Sequence, residues 1–360
     1  MIYHQIDDLP QEIDAKADDG YRPNLSKLPV TSAGSNHAAT YFRFHLPRKC
    51  EELCKYRIFS TRAFYLRFYP SHEERTKRFI AFYLNMNLLK RRLEHERKLG
   101  IEGQTIWGVT EFFDWTEEEM SKLLIPHSYT LKSKLTSIVK IIKVETRHGY
   151  FRPKQWDWRD KGVVTHKIVN CGSCWAFSVV ALVETIHAIY NGTLIRLSEQ
   201  QLIDCDSAEN GCEGGYRPYA LRYVRDKGND GKCQLPSGPI DPTQRVFIDE
   251  WRSLPSNEEQ IADWIATKGP VTFGMNATKS MYHYRGGIFS PSPEECSHES
   301  LGSHSMEVVG YGVNDQEIPY WILKNSWGSG YGINGGYLHM RRGVNSCGIT
   351  REQLFIFNII

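Results

Sequence analysis

The stretch Asn170-Cys-Gly-Ser-Cys-Trp-Ala-Phe177 opens a strongly apolar segment, Cys174 to Tyr190, that ends at Asn191-Gly192. A serine ahead of an apolar run and an Asn-Gly pair behind it are start and stop signals, so the pattern predicts a buried helix beginning near Ser173 with Cys174 in its first turn. Unsatisfied N–H groups and the positive end of the helix dipole favour an anion at that place. A cysteine there is expected to have a lowered pKa and to be a nucleophile near neutral pH.

Beyond this helix the chain has short segments, turn residues and most of its cysteines; seven of the nine follow Phe151. From about Pro270, VTFGM, SMEVVGYG, YWILKN and GGYLHMRR are separated by Gly, Asn and Pro turns and are expected to be strands. Helices followed by strands predict an α+β arrangement in two lobes, with the crevice between them as the natural ligand site. Upstream, Ser71 to Leu99 reads as a charged helix stopped by Gly100, with Phe79, Phe82, Tyr83, Met86 and Leu89 as its apolar stripe. Its basic run, Lys90, Arg91, Arg92, Arg97 and Lys98, is expected to be a solvated face. The first 40 or so residues have the composition of loop, with Pro10, Pro23 and Pro29 and the polar run Thr31 to Asn36.

A chain of 360 residues needs no cysteine staples merely to form a core. Its 44 Lys plus Arg against 42 Asp plus Glu give +2, which excludes a strongly polyanion-binding protein, and no nucleic-acid partner is expected. No apolar run is expected to span a membrane, which takes roughly 18 residues. The first 30 residues lack the apolar core of a secretory signal, so the chain reads as soluble. Residues 1–150 carry 24 basic and 19 acidic side chains and residues 151–360 carry 20 and 23, so a +5 part faces a −3 part.

Cleaving a peptide bond with Cys174 takes a base that later protonates the leaving amine, a group that orients the base, and donors for the oxyanion. His304, in SHSMEVVGYG (303–312), and Asn325, in WILKNSWG (321–328), lie 130 and 151 residues after Cys174. The general pattern C-G-[SA]-C-[WY] with His and Asn at that remove is a known signature of papain-type proteases. DWRDKGVVT (157–165), LSEQQLIDCD (197–206), GCEGGY (211–216), YRGGIF (284–289) and KNSWG (324–328) follow in the same order, so residues 151–360 resemble the catalytic domain of a papain-like cysteine peptidase. The resemblance implies a two-lobed fold, a helical lobe against an antiparallel, barrel-like one. It also implies Cys174 as nucleophile, His304 as general base and acid, Asn325 as its orienter, and Trp327 covering the His–Asn hydrogen bond.

The same resemblance implies disulfides Cys171–Cys212, Cys205–Cys233 and Cys296–Cys347, where six cysteines alone would allow 15 pairings. That pairing leaves Cys174 reduced and points to an oxidising compartment, lysosomal or extracellular. Sequons at Asn24, Asn191 and Asn276 are compatible with a glycoprotein. Glu74, Arg78, Phe82, Asn85 and Leu89, followed by GVTEFFD (108–114), resemble the pro-segment of cathepsin L and F type zymogens, although Leu93 stands where that motif has its last Asn. Residues 61–150 are therefore expected to be an inhibitory pro-segment (I29-like) filling the cleft, with the junction between Lys143 and Gln155. Residues 1–60 stay an unassigned polar extension. Acid is expected to weaken the lock by protonating carboxylates, Asp114 among them. Implied partners are protein and peptide substrates, the chain's own pro-segment and cystatin-like inhibitors, for a monomer without membrane or cofactor.

One departure concerns the oxyanion hole. The family carries a Gln shortly before the nucleophile; here Thr165-His-Lys-Ile-Val-Asn-Cys171 has none, leaving Asn170 and the Cys174 N–H. Losing one such donor lowers turnover by about 10² to 10³. The alternative expectation is thus an impaired homologue that binds peptides or protease partners. By resemblance the S2 pocket is lined by Tyr216, Arg217, Pro218 and Gly274 with Glu352 at its floor, where an acid could accept Arg or Lys at P2. No cathepsin B-like occluding insertion is visible, which favours endopeptidase cleavage. Cys50, Cys54 and His45 are too few for a metal site, and Gly330, Gly332 and Gly335 precede a strand rather than the helix a phosphate cradle needs.

Overall fold

The structure, a computed structural model, describes residues 69–128, 140–142, 152–165, 171–228, 245–351, 354–356 and 359. The N-terminal extension with Asn24, His45, Cys50 and Cys54, as well as Asn170, Cys233 and Glu352, lies outside the described residues.

The first element, α1 (His72–Leu99), starts where the Ser71 side chain accepts the Glu74 N–H and ends at Gly100, φ 66°, as its boundary residues predict. Its buried face keeps part of the expected stripe, with Leu89 buried and Phe82 and Met86 half-buried, but Phe79 and Tyr83 are 38% and 44% exposed, while Asn85 and Glu96 are buried with Ala81. Hydrogen bonding decides which face docks. Asn85 donates its side-chain N–H groups to the carbonyls of Phe113 (3.0 Å) and Trp115 (3.1 Å), and Glu96 accepts the Trp107 indole N–H (3.0 Å). Arg78 binds Glu74 at 2.6 Å and Glu119 at 2.7 Å, and Phe82 meets Phe113 edge-on at 5.1 Å. Those partners hold β1 (Thr105–Trp107), the loop after it and α2 (Glu117–Ser121), whose entry is a capping box between Thr116 and Glu119.

The remaining body begins with β2 (Trp156–Asp157) and then lays down α3 (Cys174–Asn191), α4 (Glu199–Cys205) and α5 (Arg217–Lys227). β3 (Trp251–Ser253), α6 (Glu258–Thr267), β4 (Val271–Thr278), β5 (Tyr284–Gly287) and α7 (Pro293–His298) follow, then β6 (Ser300–Val313), β7 (Pro319–Lys324), β8 (Tyr337–Arg341) and β9 (Leu354–Ile356). One antiparallel sheet runs in the order β3-β9-β4-β6-β7-β8, with β2 on β6, and β1 pairs with β5. Two cores separate the lobes. Val179, Leu182, Val183, Leu202 and Leu221 fill the helical one; Phe273, Met306, Val308, Trp321 and Leu323 fill that of the sheet.

Contrary to the expectation of no such run, α3 is 18 residues long and apolar enough for a membrane span; 72% of it is buried inside the protein, as befits a core helix. Cys171–Cys212 and Cys296–Cys347 are bridged. Cys205 carries a free thiol whose sulfur meets the Tyr223 hydroxyl on α5; its expected partner, Cys233, lies outside the described residues. Gly332 and Gly335 take positive φ in turns between β7 and β8, as expected of turn glycines.

Candidate active site

Cys174 is the first residue of α3 and is fully buried. Its sulfur accepts hydrogen bonds from the backbone N–H and hydroxyl of Ser305 and from the Trp175 N–H, and it feels the charge of Arg217. All four favour the thiolate. Burial works against them and dominates, pushing the thiol up to about 11. The lowered pKa expected from the helix terminus is therefore overturned in this closed state, because a partial charge at a helix end does not offset removal from water.

His304 lies inside β6, not at its head, opposite Met275 of β4. Its Nε2 sits 2.8 Å from Asn325 Oδ1, which also accepts the Ser326 N–H at 2.8 Å. An acceptor at that position places the proton on Nε2 and leaves Nδ1 with a free lone pair; Nδ1 has no hydrogen-bond partner. The Trp327 ring stacks on the imidazole at 4.9 Å, and Tyr282 stacks on Trp327 at 4.2 Å. Burial pushes the imidazole down to about 4 against the Asn325 bond, so the resting pair is neutral thiol and neutral imidazole. The Cys174 sulfur meets Ser305, the residue next to His304 in β6, to which no sequence signal pointed.

The segment after α2 passes close to both. Ile125 exchanges both backbone hydrogen bonds with Ser303, at 2.9 and 2.8 Å. The carbonyl of Leu124 lies 2.8 Å from where a Cβ on Gly172 would be, and that of Ile125 lies 2.7 Å from the same point on Gly302. Ile125 packs in the core that contains Cys174, and Leu124 in the core of the sheet. The chain thus threads between two glycines, one on each lobe. Ahead of it, Thr110 donates its hydroxyl to the Tyr282 carbonyl at 2.6 Å, and Phe112 sets its edge on Tyr282 and Trp327 at 5.4 and 5.5 Å. Asp114, one of the carboxylates expected to respond to acid, accepts the Tyr69 hydroxyl at 2.5 Å. Of the basic run, Arg92 is half-buried rather than solvated and pairs with Glu295, also donating to the Ser290 carbonyl at 2.9 Å.

Of the expected S2 residues, Arg217 and Gly274 are neighbours: an Arg217 Nη lies 3.2 Å from the position of a Gly274 Cβ. Tyr216 caps α5 and Pro218 is buried in its first turn. Among the sequons, the Asn276 amide is tied to the Cys296 carbonyl at 3.1 Å, whereas Asn191 is exposed at the end of α3.

A family model described as papain family cysteine protease matches residues 152–357. Cathepsin F of Mus musculus is 37% identical over 299 residues, which is 79% of this chain and 61% of that protein. Cathepsin F of Drosophila melanogaster is 34% identical over 303 residues, 78% of this chain and 47% of that one. The chain therefore spans less than two thirds of either relative. Digestive procathepsin L2 from Tenebrio molitor larval midgut superposes with a TM-score of 0.69 at 30% identity, over 86% of this chain and 98% of that structure. The likeness to a proform extends upstream of the matched family model, and that model takes in α3, β6 and the turn after β7: the chain belongs to the papain family of cysteine proteases.

Proposed function

We propose that the chain is the autoinhibited precursor of a cysteine endopeptidase, with residues 61–150 as inhibitory pro-segment and residues 151–360 as catalytic domain. The observation that carries this reading is Leu124–Ile125, seated between Gly172 and Gly302, which lie two residues before Cys174 and His304 respectively. Once that segment is cut away, between Lys143 and Gln155, water reaches the pair and the burial that held it neutral is gone. The Ser305 and Trp175 donors and the Arg217 charge then favour the thiolate, and the Asn325 carbonyl favours the imidazolium. The thiolate attacks the scissile carbonyl; His304 gives its Nδ1 proton to the leaving amine and takes one from the water that hydrolyses the thioester. Asn325 and Trp327 keep the ring aimed throughout. The Cys174 N–H and Asn170 are the donors for the oxyanion.

Tyr216, Arg217, Pro218 and Gly274 form S2 with Glu352, and cystatin-like proteins are the expected inhibitors. The disulfides Cys171–Cys212 and Cys296–Cys347 support an oxidising, lysosomal or extracellular setting. A second reading, a binder of peptides that turns nothing over, is favoured by the absence of Gln from residues 165–171. Labelling of the processed protein with an epoxide thiol inhibitor together with turnover of a fluorogenic dipeptide decides between them. Labelling with turnover supports the endopeptidase, labelling without turnover the binder, and no labelling at all refutes both.

A further inference from the structure

His283 closes the 3-10 turn Lys279–His283 that leads into β5, and it is completely buried with neither ring nitrogen hydrogen-bonded. Its cover is the inhibitory segment. Phe113 stands edge-on to the imidazole with centroids 4.7 Å apart, the His283 carbonyl accepts the Gly108 N–H at 3.0 Å, and α1 packs on the same turn. An imidazole in water bonds at both nitrogens, and this one has given up both partners to lie beneath a phenyl ring.

We propose that His283 is the acid sensor of the lock: protonation of its ring, which the closed chain cannot accommodate, releases the loop Gly108–Phe113 and with it the occluding Leu124–Ile125. This rests on the reading of residues 61–150 as an inhibitor. The titratable groups on the surrounding elements are committed elsewhere. On α1, Arg92 and Glu96 engage Glu295 and Trp107; beside Phe113, Asp114 holds Tyr69; on its own turn, Lys279 pairs with Glu117 at 2.7 Å. Tyr282 and Tyr331 donate to the carbonyls of Met120 and Met281, and Tyr284 to that of Gly287. Among the described residues, burial is what holds the ring neutral, pushing it down to about 3.

The sign follows from linkage. A group whose pKa is depressed in the docked state supports docking fully above its free value, and that support is lost as pH falls from the free value toward the docked one. With a free imidazole near 6.5 and a docked one at about 3, the opening constant rises about 8-fold between pH 7 and pH 5.5 from His283 alone. Carboxylates with ordinary pKa values hardly titrate in that window. His304, buried as well, adds a rise of the same sign and is common to every chain compared below.

The test is amide hydrogen exchange at Ile125 in the full-length chain carrying Cys174→Ala, so that opening is read whether or not the processed protein hydrolyses anything. After correction for intrinsic rates, protection is expected to fall between pH 7 and pH 5.5, and the fall to be about 8-fold smaller in His283→Phe and in His283→Gln. An identical fall in parent and variants overturns the proposal. Should the Phe variant fail to fold, the Gln variant stands, and the ring of His283 is titrated directly by NMR in the parent chain. A ring that protonates near pH 6.5 while Ile125 stays protected overturns it equally.

Discussion

In the proposed precursor Arg92 joins the inhibitory segment to the catalytic body, and its removal can be given a magnitude. Its guanidinium reaches Glu295 and the Ser290 carbonyl, lies 3.4 Å from Glu96 and covers Trp107 at 5.5 Å, with 10% of the side chain exposed against 6% for Glu295. Arg92→Ala leaves Glu295 buried with only the Ser280 hydroxyl as a neutral donor. Breaking one partner of a buried pair costs about 3 to 5 kcal/mol. Because the pair spans the boundary that opens, the cost falls on docking; the lower figure, about 3 kcal/mol, corresponds to about 150-fold more open chain. The assay is labelling of Cys174 in the full-length chain at pH 7.5 by an irreversible thiol reagent, with opening rate-limiting. Arg92→Lys should fall between, since an ammonium cannot fork to both acceptors. Labelling of Arg92→Ala within twofold of the parent would refute the reasoning.

The closed thiol, held at about 11, presents about one part in 10³ of thiolate at pH 8, so iodoacetamide should react with Cys174 at least about 100-fold faster after processing. Equal rates would show that the inhibitory segment does not control the sulfur. Glu119 is opposed by burial, yet its bonds to Lys77, the Thr116 N–H and Arg78 hold its carboxyl down at about 2. Its support for the α1–α2 contact is therefore intact above the ordinary carboxylate range and lost as pH falls toward 2. Exchange protection in α2 should survive at pH 4.5, fail near pH 2, and be weakened at every pH by about 2 kcal/mol in Glu119→Gln. Gly215→Ala sets a Cβ 2.4 Å from the Trp175 indole. That overpacking should cost about 1 to 3 kcal/mol and lower Tm by about 2 to 4 °C per kcal/mol, read by calorimetry.

The two helices with clear boundary residues were legible: Ser71 and Gly100 bracket α1, and Ser173 and Asn191-Gly192 bracket α3. The strands carrying His304 and the approach to Asn325 also follow from short apolar segments bounded by turn residues. What was not legible depends on partners far along the chain. Periodicity marked Phe79 and Tyr83 as the packed face of α1, but carbonyls 28 and 30 residues away from Asn85 chose another. The helix terminus argued for a thiolate at Cys174, yet the deciding quantity was the complete burial of that residue. His283 gave no signal at all, because an imidazole becomes informative only when its neighbours are known to offer nothing.

Gly172 and Gly302 give the cleft walls of bare main chain at the narrowest point. The passage therefore gauges whatever lies in it by backbone thickness, and the built-in stopper and a foreign polypeptide meet the same gauge. A methyl group on Gly302 would evict the stopper and narrow the road for substrate in one stroke, whereas on Gly172 it would meet the Cys212 carbonyl first, at 2.5 Å. Relief from self-blockade has to come from the far contacts of the segment, where Arg92 and His283 sit, leaving the working channel untouched.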